Sequence, residues 1–438
     1  MEGRISIKEM CENNGKPVKT AGWIDNIRNL GKICFVILRD GSGSTQLVIE
    51  DSKQIEKLND CQIGTVISAE GTVQSNKDKY ELLVSSISII TKVKDVSPLT
   101  YNKNEIDANQ DTELDYRTLS LRNIRRQAIF KVQAQIINSF SNSLVKQGFM
   151  QFRSPVLMGA PSESGADVFE VNYFGKKAYL AQSPQIYKQI MVSAFEKVFT
   201  ITPVFRAEKH NTSRHIMELT QLDAEMAFVD SYLDTMMVVE EVVKDIIHDL
   251  DENCKELFNL LNAEIPTLNK DEFPRFPVIK VNEAFKVIEE RTGKSSKREE
   301  LDVDPDDEKE LCKWAKEEHN SEFVWLINFK KDKNFYTYND PKFPDESLSF
   351  DLIFRGLEVL SGTHRIHEYD KLSSNMDKIG LNKNNYSHYL QAFQFGMPPE
   401  CGFSFGLERL TQKMLGLNNI REATLFPTDQ KRVAGQRI

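Results

Sequence analysis

No stretch of the sequence approaches the roughly 18 uninterrupted apolar residues that a bilayer span requires, which argues against an integral membrane protein. The first residues, Met1 to Lys8, read MEGRISIK and contain no apolar segment of the kind that opens a secretory signal. Six cysteines (Cys11, Cys34, Cys61, Cys254, Cys312 and Cys401) are scattered without CxxC spacing. That excludes a zinc ribbon and a disulfide scaffold and fits a reducing cytoplasm. Glycine-rich phosphate loops are missing too. Gly293-Lys294-Ser295 ends like one, but the GxxxxGK[ST] pattern needs a glycine at position 288, which is Ile288, and no GxGxxG follows a strand. Excess positive charge is also absent. The net charge is −9, which argues against a purely electrostatic coating of nucleic acid. Local basic patches such as Arg117 to Arg126 remain, and a solvated helix start is the plainer reading of that run.

The composition that is present suits a multidomain globular protein. Apolar residues make up 40% and charged residues 28%, enough for a large core and too apolar for a disordered chain. At 100–200 residues per domain, a chain of 438 residues holds two or three domains.

Residues 1–95 are rich in short extended segments. Val18–Arg28, Lys32–Asp40 and Thr45–Glu50 read as strands, Lys53–Leu58 as a short helix, and Thr65–Gln74 and Tyr80–Ile90 as further strands. Five strands with a helix between the third and fourth follow the order of an OB barrel, although an SH3-like barrel reads similarly. OB barrels bind single-stranded nucleic acid by stacking bases on aromatic side chains. Residues 97–116 are polar and aperiodic and read as a linker. A long helix is expected from Arg122 to Gln147, where Ile129, Val132, Ile136, Phe140 and Leu144 recur at spacings of three and four. Beyond it, strands (Val198–Phe205, Gln221–Val229, Phe323–Phe329, Phe350–Phe354) and helices (Ile186–Ala194, Leu233–Asp251, Glu408–Met414) do not alternate regularly. That pattern predicts an α+β fold with a mainly antiparallel sheet. The charge-dense stretch within 289–320 reads as a solvated surface insertion.

Three segments carry chemistry. Phe205–Phe228 is strand, polar loop, strand, with Lys209, His210, Arg214 and His215 in the loop. It suits a triphosphate clamp about as well as an ordinary surface hairpin. In Phe350–Arg365, Asp351 and Glu358 are separated by seven residues, which on one straight strand would set them on opposite faces. A turn at Arg355-Gly356 can fold the segment so that both carboxylates share a side, and paired carboxylates facing phosphates suit Mg²⁺. Gly402–Leu410, GFSFGLERL, runs from strand into helix with an arginine in the first helical turns.

Taken together, these segments resemble the signature motifs of class II aminoacyl-tRNA synthetases. Pro155 in QFRSPVL matches the first motif, Arg206 in FRAE the second and Arg409 in GLER the third. AQSPQIYKQI (Ala181–Ile190), EKHNTSRH, FYTYNDP (Phe335–Pro341), GMPP (Gly396–Pro399) and LNNIREATLFPTD (Leu417–Asp429) extend the resemblance over nearly the whole chain, toward aspartyl-tRNA synthetases of subclass b and the archaeal/eukaryotic type. The resemblance implies an OB-fold anticodon-binding domain at 1–96, a linker or hinge at 97–120 and a catalytic domain at 121–438. The catalytic domain is expected to carry a six-stranded antiparallel sheet flanked by helices, and the protein to be a cytoplasmic homodimer acting in protein biosynthesis. It also implies the activity of an aspartate–tRNA ligase, in which ATP activates L-aspartate and the aspartyl group passes to the 3′ end of tRNA(Asp). A non-discriminating variant also charges tRNA(Asn), and the residues near Asp25–Arg28 would decide that tolerance.

Site residues follow from the same resemblance. Arg206, Glu358 and Arg409 match the catalytic positions. The ATP site takes in Arg206, Ala207, Glu208, Arg214, His215, Ile216, Glu358, Gly406, Leu407, Glu408 and Arg409. Glu163, Gln185, Lys188, Arg206, Ser361 and Arg365 match amino-acid-binding positions, with Lys188 and Arg365 as the two cations for the substrate side-chain carboxylate. On that view, asparagine would leave both cations without a counter-charge. Ser164 belongs with Glu163 to a loop that closes over the amino acid. Asp351, Glu358 and Ser361 match the Mg²⁺ positions. In the barrel, Phe35 matches a base-stacking aromatic, Gln46 a base reader and Arg28 a backbone or base contact; on pattern alone Phe35 could equally be a core residue.

The sequence departs from the family at Leu219, where an aromatic is common, at Thr363-His364, where Gly-Gln is usual, at Thr428 in place of arginine, and in the ending VAGQRI. These departures keep other readings open: a divergent paralogue of asparaginyl type, a free-amino-acid ligase, or a non-catalytic tRNA-binding protein.

Overall fold

The computed structural model describes residues 2–77, 79–163, 167–209, 212–295, 303–330 and 334–438. His210 and Ser164 therefore lie outside the described residues. The chain divides into two compact units, Met1–Ile124 and Arg125–Ile438.

The first unit is a closed barrel of β1 (Pro17–Asn29), β2 (Cys34–Arg39), β3 (Ser44–Ile49), β4 (Val66–Asn76) and β5 (Lys79–Thr91), in the order β1-β2-β3-β5-β4. Helix α1 (Ser52–Glu56) sits between β3 and β4, N-capped by Asp51. Closure removes the exposed strand edges that an open sheet would have to protect. Alternation along the strands fills the interior with Val36, Leu38, Leu47, Ile49, Ile67 and Leu82. Residues 97–116, expected to be an aperiodic linker, include a short helix, α2 (Gln110–Asp115), and α3 (Arg117–Ser120) follows where a helix start is expected. Asn109 caps α2 through its side chain, and Asn123 donates to the carbonyls of Tyr101 and Lys103. These local side-chain bonds give the polar segment its order, and polarity alone does not reveal them.

In the second unit, α4 (Ile124–Lys146) presents Ile129, Val132, Ile136, Phe140 and Leu144 to the core. The following elements, in chain order, are β6 (Met150–Gln151), β7 (Leu157–Met158), β8 (Glu170–Tyr173), β9 (Lys176–Leu180), α5 (Gln185–Phe195), β10 (Lys197–Phe205), β11 (Glu218–Ala227) and α6 (Tyr232–Leu261). Next come β12 (Val278–Lys280), α7 (Val281–Thr292), α8 (Pro305–His319), β13 (Phe323–Ile327), β14 (Ser349–Phe354), β15 (Leu357–His364), α9 (Tyr369–Lys378), α10 (Ser387–Gln394), β16 (Glu400–Gly406) and α11 (Leu407–Met414). The main sheet has eight strands in the order β12-β13-β14-β15-β16-β11-β10-β6. It is antiparallel at its centre, and its two outermost pairings, β12 with β13 and β6 with β10, are parallel. The expected six-stranded sheet is thus extended by one short strand at each edge.

The charge-dense stretch is not wholly a solvated insertion. Residues 296–302 lie outside the described residues, but 305–319 form α8, which buries Leu311, Cys312 and Ala315. A capping box between Asp304 and Asp307, with Pro305 opening the helix, fixes its start. Its many charges line the outer face and obscure a narrow apolar stripe.

Candidate active site

The hairpin that carries Asp351 and Glu358 turns at Arg355 and Gly356, both at positive φ (47° and 74°). Two consecutive positive-φ residues make a two-residue turn whose twist suits antiparallel strands. Pairing runs Ile353 with Glu358, but Leu352 with Leu360 and Asp351 with Ser361, so one extra residue is accommodated beside Val359. This bulge reverses the alternation of β15. It lets Glu358 and Ser361, three residues apart, face the same side of the sheet as Asp351.

That side of the sheet forms a cleft. Arg206, Glu208, Arg214, His215, Ile216, Glu358, Ser361, Gly406, Glu408 and Arg409 all line it, together with Leu219, Gln221 and Ser404. Ala207 and Leu407 do not. The Ala207 backbone bonds to Asp167, and the Leu407 side chain joins the core. Arg409 Nη1 lies 3.6 Å from Glu358 Oε2. Arg214 Nη2 donates to Glu308 Oε2 at 2.6 Å and to the Gly356 carbonyl at 2.9 Å. Three buried polar atoms of the cleft, Arg206 Nε, Gln221 Oε1 and Ser404 Oγ, have no hydrogen-bond partner among the described residues. Buried polar groups are nearly always satisfied, so orphans gathered in one cleft mark where a polar ligand sits. Glu408 accepts from the Thr220 N–H, and burial pushes its carboxyl up to about 7.

Beyond Gln221 the same face of β11 continues with Asp223 and Glu225, while Leu222, Ala224 and Met226 enter the core. Lys188, on α5, is buried between these two acids, 2.5 Å from Asp223 and 3.0 Å from Glu225. Arg365 makes two bonds to Glu225, at 2.8 and 3.2 Å. Burial by itself would raise the Glu225 carboxyl, but Arg365 and Lys188 hold it below the usual range. A Cβ on Gly402 would stand 1.8 Å from Glu225 Oε2, so this approach requires glycine there. Gln185 donates to Gln189 at 2.9 Å, and Gln189 donates to Glu400 at 2.7 Å. Burial keeps the Glu400 carboxyl well above the usual range, with Glu225 adding to the effect. Two cations, Lys188 and Arg365, therefore meet two acidic side chains, Asp223 and Glu225. The expectation that asparagine would leave the cations bare is corrected by this pairing.

The Glu163 backbone N–H donates to the Gln182 side chain at 3.2 Å. Of the two departures on β15, Thr363 follows Ser361 on the cleft face and bonds Ser349. His364 alternates to the other face, edge-on to Tyr338 at 5.5 Å. Burial lowers it to about 4, and neighbouring His367 and Arg365 add to that. It therefore stands on the opposite face of β15 from Thr363.

Asp223, Glu225, Gln189, Glu400 and Glu308 were not read from the sequence. The first two had a signal, because TQLDAEM alternates polar and apolar with period two, which places Gln221, Asp223 and Glu225 on one face of a strand.

In the barrel, Arg28 pairs with Phe35 across β1 and β2, Phe35 pairs with Val48, and Gln46 with Ile37. The interior is filled by Cys34, Val36, Leu38, Leu47 and Ile49. Alternation thus places Arg28, Phe35 and Gln46 together on the outer face, so Phe35 is not a core aromatic. Gln46 also bonds Glu81 at 3.1 Å.

Comparison with known proteins agrees with this architecture. Residues 109–430 match the family model of class II tRNA synthetases (D, K and N), and residues 18–90 match that of the OB-fold nucleic acid binding domain. The aspartate–tRNA(Asp/Asn) ligase of Aeropyrum pernix is 36% identical over 427 residues, covering 96% of both chains. The aspartate–tRNA(Asp) ligase of Pyrococcus abyssi is 36% identical over 431 residues, covering 96% of this chain and 97% of that one. Among solved structures, asparaginyl-tRNA synthetase from Pyrococcus horikoshii complexed with asparaginyl-adenylate superposes with a TM-score of 0.91. It is 30% identical and covers 99% of this chain and 100% of that one. With both of its units matched in order and its cleft built from the motif residues, the chain belongs to the class II tRNA synthetases (D, K and N).

Proposed function

We propose that the protein is an aspartate–tRNA ligase that activates L-aspartate with ATP and transfers the aspartyl group to tRNA(Asp), and to tRNA(Asn) as well. The observation that carries this reading is the buried, unpartnered Nε of Arg206 in a cleft that also holds Arg214, Glu358 and Arg409. An orphan guanidinium N–H in such a place suits the α-phosphate and the attacking carboxylate. The substrate α-carboxylate attacks the α-phosphorus and pyrophosphate leaves; a tRNA terminal hydroxyl then attacks the aspartyl carbonyl. No covalent enzyme nucleophile is needed, so positioning and charge neutralisation by these residues supply the rate. Arg206 grips the reacting centre, Arg214 and His215 the far phosphates, and Arg409 the adenine and the triphosphate tail. Leu219 packs beneath the base.

Asp351, Glu358 and Ser361 are hard oxygen donors on one face and would hold Mg²⁺, which neutralises triphosphate charge. Gln185, Lys188 and Arg365 form the amino-acid pocket, and Glu163 faces the ammonium group. Arg28, Phe35 and Gln46 read the anticodon by stacking and edge contacts.

The protein is further assigned to subclass b and the archaeal/eukaryotic type, with domains at 1–96 and 121–438 and a hinge between them. A homodimer is supported by Val145, Met150 and Leu157, exposed around the first motif. The cysteines form no disulfide and no described helix is long and apolar enough to cross a membrane; a cytoplasmic location fits both. One observation favours a second reading, in which asparagine is the amino acid: both pocket cations already have carboxylate partners. Pyrophosphate exchange with each of the twenty amino acids, followed by charging of the two tRNAs, tests the assignment. Aspartate-dependent exchange is expected; exchange with asparagine alone would overturn it.

A further inference from the structure

Helix α8 brings to the cleft an acidic side chain that the motifs do not include. Glu308, in the first turn, is buried. Its Oε2 accepts from Arg214 Nη2 at 2.6 Å, and its Oε1 lies 3.4 Å from the backbone N of Glu358. One carboxylate thus touches both the loop arginine and the strand that carries Glu358. Both sides of this contact are held firmly. Asp304 caps the start of α8 by accepting from the Asp306 and Asp307 N–H groups. The Arg355-Gly356 turn packs on the helix so closely that a Cβ on Gly356 would stand 2.9 Å from Lys309 Cγ. The Gly356 carbonyl takes a second bond from the same Arg214 nitrogen, and the Gly356 N–H donates to Cys312 Sγ at 3.1 Å.

We propose that Glu308 is a positioning residue that holds Arg214 ready for the triphosphate of ATP. Only Nη2 of the guanidinium is engaged; Nε and Nη1 make no hydrogen bond among the described residues and are left for phosphate oxygens. A long side chain fixed in advance loses less rotamer freedom when the ligand arrives. Glu308 therefore acts through Arg214, at the triphosphate end of the cleft. The proposal rests on reading this cleft as an ATP site.

The test is pyrophosphate exchange by the full chain, saturated in ATP and in aspartate separately, with AMP as a competitive probe that lacks the outer phosphates. Glu308→Ala should raise the KM for ATP by about tenfold to a hundredfold, the range that loss of one hydrogen bond to a charged group gives. The KM for aspartate and the inhibition constant of AMP should not move. Glu308→Gln keeps an acceptor for Arg214 and should show a smaller rise; it carries the comparison where the alanine variant does not yield folded protein. In an Arg214→Ala background, Glu308→Ala should add nothing further. An unchanged KM for ATP, or equal rises for ATP, AMP and aspartate, would overturn the positioning role, as would additive effects in the double variant. A wild type that binds no ATP overturns the reading of the cleft itself.

Discussion

Lys188→Met probes the buried charge cluster most directly. Lys188 is 2% exposed, Asp223 1% and Glu225 0%. The Lys188 ammonium is 2.5 Å from one carboxylate and 3.0 Å from the other. Methionine fills similar space but leaves Asp223 without its cation, while Glu225 keeps Arg365. Removing one member of a buried pair costs about 3–5 kcal/mol, because the remaining charge cannot recover its hydration. Domains somewhat smaller than the second unit lose roughly 2–4 °C of melting temperature per kcal/mol. A fall on the order of 10 °C should therefore appear in calorimetry of the full chain. Lys188→Met combined with Asp223→Asn removes both partners and should recover most of that loss. The same single change leaves the pocket one charge more negative, so kcat/KM for aspartate should fall much further than kcat/KM for asparagine. A melting temperature within about 1 °C of wild type, joined with an unchanged aspartate-to-asparagine ratio, would refute both the pairing and its place in the pocket.

Glu358→Ala should give a folded protein unable to form adenylate; normal aspartate-dependent pyrophosphate exchange by this variant would remove the assignment of Glu358 to the metal. Leu219→Phe should lower the KM for ATP about fivefold, since an aromatic face adds roughly 1 kcal/mol beyond area burial, and an unchanged KM would place the adenine elsewhere. Phe35→Ala should weaken tRNA charging by about 5- to 100-fold, the span of one stacked base, while leaving pyrophosphate exchange untouched; equal charging would mean that the barrel face does not read the anticodon. Glu408 predicts a pH dependence. Its folded pKa, about 7, lies above the ordinary 4.5, so between these values the folded protein keeps a proton that the unfolded chain has lost. Stability should therefore fall as pH rises from about 4.5 to 7, by on the order of 3 kcal/mol, and then level off. Glu408→Gln should flatten that slope in denaturant titrations at each pH, and an unchanged slope would assign it to another group.

The sequence by itself determined the barrel and the central strands. Alternation in β3 and β4 allows only one set of side chains inside a small closed sheet, so Leu47, Ile67 and Val73 point inward wherever the barrel sits. Periodicity of three and four likewise set the buried stripe of α4 from Ile129 to Leu144. Ordered motifs along the chain were enough to identify the family, because motif order survives where single motifs are ambiguous. Tertiary structure decided the rest. The helical character of 305–319 was hidden because its charged outer face outnumbers the three apolar residues that pack inward. Whether Phe35 is core or surface could not be settled until the register of β2 was fixed by its neighbours. Above all, the cluster of Lys188, Asp223, Glu225 and Arg365 joins one helix, one strand and the residue just past the end of β15, from distant parts of the chain. A cation's partner depends on which side chains share its buried volume, and sequence spacing carries no such information across separations of 35 and 140 residues. The bulge beside Val359 has the same character, since one inserted residue decides which face Ser361 joins and only pairing with β14 reveals it.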